Sequence, residues 1–331
     1  MMKSYDLKLI SKWRTELMGF AAVMILLCHS VVAEVEMPSF IKKIMIYGNL
    51  GVDLFLLLSG FGMFYSCRKR LGGGAKTCIM WYKLHLLRIF IPYVIILGPY
   101  WIFDCIVEQR SIIDFVLRFT TLSFWVEHVG AWYVAFLIPL YLFVPVWNYI
   151  FDRINRKWII VLMMIGINML LGLFPFDNSD SLIDNIIFCL RRVPSFFVGW
   201  YFAYLNSKDI KMPMITIGCS VLLFVVGQVY ISSICWYWVA AIAVVMLLSL
   251  IFNGFEKIKA LNFFRGIGKC SLESYLTNYL FMFVLAYLPI FNLTINHGNY
   301  LYYGLVLLFG IISAFLYHRI CSRIIQKGKS A

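Results

Sequence analysis

Apolar residues run through this chain in long blocks separated by short polar joints. Ten blocks have about the 17–20 residues that cross hydrocarbon as a helix. They fall at 17–33, 47–66, 89–107, 131–150, 158–174, 186–205, 213–231, 234–252, 272–290 and 300–317. The pattern predicts an all-α polytopic membrane protein of about ten transmembrane helices, with residues 1–331 as a single integral-membrane domain. No soluble domain of useful size remains at either end.

Composition sharpens this picture. The 331 residues are 62% hydrophobic and 14% charged, against about a quarter charged in soluble domains. Mean hydropathy is +0.85, which excludes a soluble protein carrying one anchor. Leu17 to Ala33 lacks a convincing small-x-small cleavage site and is followed by further spans, so it does not read as a signal peptide. Nine cysteines show neither a CxxC pair nor metal-ligand spacing, so neither disulfides nor a metal site are expected. No repeat of fixed period is present. Gly72-Gly73-Gly74 reads as a flexible loop.

The net charge of +13 would suit a nucleic-acid partner if it were spread over one face. It is not. With the N-terminus inside, 23 of the 29 Lys and Arg fall on inner segments, and only Lys42, Lys43, Arg110, Arg118, Arg191 and Arg192 lie outside or near the outer surface. That asymmetry predicts cytoplasmic termini and a lipid bilayer, not nucleic acid, as the partner. Oligomeric state is not readable.

Two ionisable residues interrupt the apolar blocks. His29 lies in LMGFAAVMILLCHSVVA, where Cys28 is the only other titratable group. A titratable imidazole in hydrocarbon is costly, normally faces the bundle interior, and suits a general base. Asp53 lies in GNLGVDLFLLLSGFG, the opening of the second block. On antiparallel helices both residues fall about 6–9 Å below the outer surface. A His29–Asp53 pair at one depth is the arrangement that orients a catalytic base, the plainer alternative being a helix–helix hydrogen bond.

The same residues carry a family resemblance. RTELMGFAAVMILLCHS followed by GNLGVDLFLLLSGFGMFYSCRK resembles the acyltransferase 3 family of integral-membrane O-acyltransferases. AWYVAFLIPLYLFVPVW at 131–147, RVPSFFVGWYFA at 192–203 and GKCSLESYLTNYLF at 268–281 extend the likeness over nearly the whole chain. The resemblance implies transfer of an acyl group, commonly acetyl, from cytoplasmic acyl-CoA to a hydroxyl of a surface glycan or glycolipid. Acyl-CoA is then a co-substrate, no cofactor is tightly bound, and the setting is a bacterial plasma membrane. The family's proposed catalytic histidine falls on His29, and its Ser-Gly-Phe motif on Ser59, Gly60 and Phe61. Two positions depart. The arginine many members carry eleven residues before the histidine is Met18 here, with Arg14 one turn further down. A Tyr-Leu-x-His block ends in Asn278 rather than histidine.

Taken with the depths, the resemblance assigns roles. Arg14 lies 15 residues, about 22 Å, from His29 along one helix. Arg14, Arg68, Lys69 and Arg70 are expected to hold the CoA nucleotide at the inner mouth. Ser59 would line the passage of the pantetheine arm, and Gly60 and Gly62 would permit close approach. Glu273 and Tyr275 are further candidates along that path. At the outer end His29 and Asp53 are the catalytic pair, and Arg191 and Arg192 are candidates for the oxyanion or acceptor. Arg192 matches the family's Arg-x-Pro block through Pro194. Glu127, His128 and Trp132 are candidates for the acceptor glycan. The alternative reading is a transporter or flippase of a glycolipid or small polar solute. Against it, no repeat links the halves and the ionisable pair lies near one face.

Overall fold

The computed structural model describes residues 4–71, 75–172, 181–230, 236–287 and 300–330. The predicted Gly72–Gly74 loop and the last three residues of the ninth block lie outside them. In chain order the helices are α1 (Lys8–Val32), α2 (Ser39–Ile46), α3 (Leu50–Arg70), α4 (Ala75–Val107), α5 (Ile112–Phe119), α6 (Leu122–Glu127), α7 (Trp132–Arg153) and α8 (Ile159–Gly172). They continue as α9 (Leu182–Leu190), α10 (Val193–Ser207), α11 (Ile215–Tyr230), α12 (Tyr237–Gly254), α13 (Ala260–Lys269), α14 (Ser271–Val284) and α15 (Tyr300–Ser330). A 3-10 turn, Tyr47–Asn49, joins α2 to α3.

Every predicted block is helical over most of its described length. Hydrocarbon demands this, since a helix satisfies its own backbone polar groups. Among the described residues, seven helical stretches are long and apolar enough to cross a membrane, the second joining α2 to α3 and the fifth α9 to α10. Two apolar helices are shorter, Ile159–Gly172 and Ile215–Val229, and α14 spans 14 residues. The outer surface is apolar as well: Ile106 is 72% exposed and Leu222 63%. Such a surface is stable against lipid, not water. The chain is therefore a polytopic helical membrane protein.

Sequence boundaries shift where polar residues find partners. α1 begins at Lys8, well before the first apolar block, because Glu16 takes Arg265 at 2.6 Å and Lys12 takes Glu256 at 2.9 Å. α4 begins at Ala75, so Lys76, Lys83 and Arg88 stand on a helix rather than in a loop. The sixth block breaks at Arg191 and Arg192, and Pro194 takes the first turn of the new helix, where its missing N–H leaves no helical bond unmade. The segment after α12, expected as a loop, contains α13, which lies along α1. A Cβ on Gly268 would stand 1.9 Å from the Thr15 carbonyl oxygen.

The joints at one end of the bundle meet each other. Ser4 and Tyr5 pair antiparallel with Pro213 and Met212, the only strands among the described residues. Lys8 reaches Asp209 at 2.7 Å, and its hydrogen bond and charge hold that exposed carboxyl below the usual range. Arg68 pairs with Asp152 at the same end. At the other end Tyr287 donates to Glu108 at 3.3 Å, and His128 bonds Asn185. This partition of the joints accords with helices that alternate in direction.

α3 is the axis of the molecule, buried without a break from Leu50 to Phe61 and packed against α10, α1 and α12. Its crossing with α10 is made by two glycines. A Cβ on Gly60 would lie 1.9 Å from the Phe196 carbonyl oxygen, and one on Gly199 1.9 Å from that of Leu57. Backbone meets backbone, the close contact that small residues allow between membrane helices. Gly60→Ala is expected to destabilise the protein at or beyond the upper end of the roughly 1–3 kcal/mol typical of overpacking. Gly166→Ala, with nothing within 4 Å of its Cβ, should be neutral. Heating both variants in detergent and measuring the monodisperse fraction checks this; equal survival would refute the crossing.

Candidate active site

A cavity of about 320 Å³ lies between α1, α3, α4, α7 and α14, with Asn49 of the 3-10 turn at its edge. That volume is within the range of small-molecule sites. Its lining changes along its length. Arg14, Ser66, His85, Arg88 and Ser271 border one end, and Cys28, His29, Asn49 and Trp132 the other, with Ile25, Val52, Phe55, Ile89 and Leu137 between. Ser59 lines the wall, and its hydroxyl interacts with Tyr133 and Tyr141.

His29 borders the cavity, and its Nδ1 lies 2.6 Å from Asn278 Oδ1. The network fixes the proton. Asn278 presents its side-chain oxygen, which can only accept, so His29 donates from Nδ1. Nε2 is left as a lone-pair acceptor, the form a general base requires. Asn278 is itself held by its neighbour Thr277, whose hydroxyl donates at 2.8 Å to the Gly310 carbonyl oxygen on α15. The departure from Tyr-Leu-x-His at Asn278 thus falls on the residue that orients His29.

The expected His29–Asp53 pair does not form. Asp53 is fully buried on the α10 side of α3, ion-paired to Arg192 and accepting from the Ser195 hydroxyl at 2.6 Å. Arg192 Nη1 also donates to the Asn49 carbonyl oxygen at 3.3 Å, and its guanidinium lies 5.5 Å from the Tyr237 ring centre. The physical reason is charge. A buried carboxylate is most stable beside a guanidinium, and the helix break before Pro194 delivers one. Equal depth on adjacent helices did not specify which side of α3 Asp53 occupies. Arg192, expected at the oxyanion or acceptor, is occupied by Asp53 and does not border the cavity; nor does Arg191, whose Nη2 donates to the Leu171 carbonyl oxygen at 3.1 Å.

The other end of the cavity is also revised. Arg14 is there, its Nε donating to the Leu58 carbonyl oxygen at 2.9 Å and its guanidinium lying in the space Gly62 leaves. A Cβ on Gly62 would stand 2.5 Å from Arg14 Nη2. Met18 lines the same wall one turn away. Arg68, Lys69 and Arg70 do not border the cavity. α3 runs past its mouth before reaching them, and Arg68 turns to Asp152. Arg88 takes their place. Beside it His85 donates from Nδ1 to the Trp81 carbonyl oxygen at 2.8 Å and accepts from Ser66 at 3.1 Å, while Trp81 Nε1 donates to Ser66 at 3.1 Å. Arg88 and His85 precede the apolar block at 89–107, so hydropathy alone does not place them on a helix; the helical spacing from Trp81 through His85 to Arg88 is the available signal.

A family model described as an acyltransferase domain (Acyl_transf_3) matches residues 17–321, nearly the whole chain and every wall of this cavity except the turn carrying Arg14. The protein belongs to the acyltransferase 3 family. No curated protein and no solved structure matches it.

The remaining expected residues of this acyltransferase lie around the His29 end. Trp132 borders the cavity and packs edge-on against Phe188 of α9, with centroids 4.9 Å apart. His128, held in a left-handed backbone conformation at φ 54°, bonds Asn185 and packs on Phe124 and Phe188. It ties α6 to α9 and, like Glu127, does not border the cavity. Tyr275 does line it, while Glu273 turns away to His318 at 3.0 Å. Tyr275 stands 5.9 Å from the His29 ring and 5.9 Å from Tyr133, which is 6.1 Å from Phe55.

Proposed function

We propose that this acyltransferase moves an acyl group, acetyl in the simplest case, from cytoplasmic acyl-CoA to a hydroxyl of a cell-surface glycan or glycolipid. The reading places ten crossings with both termini in the cytoplasm of a bacterial plasma membrane. One observation carries it: a single cavity has two guanidinium groups at one end and an imidazole with an open Nε2 at the other. Arg14 and Arg88 are suited to the phosphates of CoA, which cannot enter hydrocarbon. The apolar middle suits the pantetheine arm, carrying the thioester to His29 about 22 Å away. There the acceptor hydroxyl gives its proton to His29 Nε2 and its oxygen attacks the thioester carbon. The carbon–sulfur bond breaks, the proton passes from His29 to the leaving sulfur, and CoA returns inward as the thiol. Asn278 holds the ring through this cycle as a positioning residue.

The test is transfer of label from acetyl-CoA in native-host membranes carrying wild type or Arg14→Ala/Arg88→Ala. Each lost charge-assisted contact of about 1.5–3 kcal/mol should raise the acetyl-CoA KM roughly 10- to 100-fold. Label entering a glycan or glycolipid fraction with wild type, and demanding far more acetyl-CoA with the double variant, supports the reading. No transfer and no acetyl-CoA binding by wild type would refute it.

A further inference from the structure

Acyl transfer by His29 needs a hydrogen-bond donor for the negative charge that develops on the thioester carbonyl oxygen, and the expected arginines do not supply it. Arg192 is committed to Asp53 and Arg191 does not border the cavity. Asn49 has the features of the missing donor. It ends the 3-10 turn that runs on into α3, with helical backbone angles of φ −59° and ψ −22°. Its side chain makes no cap bond, and among the described residues its amide has no hydrogen bond. It borders the cavity instead, at the His29 end. Two contacts hold it there. The missing Cβ of Gly48 lets the 3-10 turn press on α1: a Cβ there would lie 2.2 Å from the Met24 carbonyl oxygen and 3.0 Å from Cys28 Cβ. That brings Asn49 beside the residue preceding His29. Behind it, Arg192 Nη1 grips the Asn49 carbonyl oxygen at 3.3 Å, itself neutralised by Asp53.

We propose that Asn49 is a catalytic residue whose side-chain NH2 donates to the thioester oxygen as the acceptor attacks; this rests on the acyl-transfer reading above. As the acceptor oxygen bonds to the carbon, the carbonyl electron pair moves onto oxygen and is held by Asn49. It returns as the carbon–sulfur bond breaks. The Asp53–Arg192 ion pair then acts on catalysis only through Asn49, by fixing its backbone.

The experiment compares Asn49→Ala and Asn49→Asp with wild type, using labelled acetyl-CoA and native-host membranes, with purified protein for acetyl-CoA binding. Asn49→Asp keeps the shape of the side chain, removes the donor and adds a negative charge where the oxyanion forms, so it should lose at least as much as Asn49→Ala and reports even if Asn49→Ala disturbs the turn. Both variants should lose about 10²–10³-fold in kcat, the cost of one oxyanion donor. Acetyl-CoA binding should stay within a few-fold, and Asn49→Ser, which keeps a donor, should recover part of the rate. If wild type transfers acetyl and Asn49→Asp does so within threefold of it, or loses only KM, the assignment is overturned while the acyl-transfer reading stands. If wild type transfers nothing, both fall.

Discussion

His29→Ala should abolish acetyl transfer while acetyl-CoA still binds. The expected fall in kcat is about 10²–10⁴-fold, the contribution of a positioned general base. Binding should persist because the groups suited to the phosphates, Arg14 and Arg88, stand at the opposite end of the cavity. Asn278→Ala should produce a smaller loss of the same kind. It leaves the imidazole chemically intact but free to rotate or to place its proton on Nε2, where it cannot accept. Single-turnover transfer and equilibrium binding on the same preparations separate the steps. If His29→Ala still transfers at the wild-type rate, His29 is not the base.

Asp53 is expected to behave differently from a catalytic carboxylate. Asp53→Ala leaves the fully buried Arg192 without its counter-charge, and breaking a buried pair in this way costs about 3–5 kcal/mol. The protein should melt earlier, or fail to accumulate, before any kinetic effect is read. Adding Arg192→Met should recover much of the stability, because a buried ion pair replaced at both positions by apolar groups is often neutral. Thermal denaturation of the single and double variants decides the matter. An Asp53→Ala protein as stable as wild type and impaired only in kcat would restore the catalytic role read from the sequence.

The contrast between these residues shows how far the sequence carries. Helix positions were legible because hydrocarbon leaves the backbone one economical solution, so composition alone locates the spans. Helix ends were less legible. α1 and α4 extend into charged sequence because Glu16 meets Arg265 and Arg88 meets the cavity, partners distant in the chain. Depth along the chain could not distinguish the two sides of α3 for Asp53. Orientation about a helix is set by packing, here by Gly60 and Gly199 pressing α3 onto α10 and so turning Asp53 toward Arg192. The sequence shows Asn278 only as a departure from histidine. Its use as the partner of His29 needed the fold, since 249 positions separate the two. Asn49 carried no sequence signal, because it lies inside the second apolar block and which groups it faces depends on the fold.

The aromatic side chains beside His29 have an electrical consequence. In the proposed reading this cavity crosses much of a bilayer, and a passage polar at both ends resembles half of an ion channel. The membrane potential would drive about 2.3 kcal/mol per elementary charge per 100 mV through any continuous file of water within it. Phe55, Tyr133, Tyr275 and His29 follow one another across this passage at centroid spacings of 6.1, 5.9 and 5.9 Å. They line the cavity with rings between its two polar ends. On the acyl-transfer reading proposed above, such a collar would admit a slender uncharged chain and interrupt a conducting column of water.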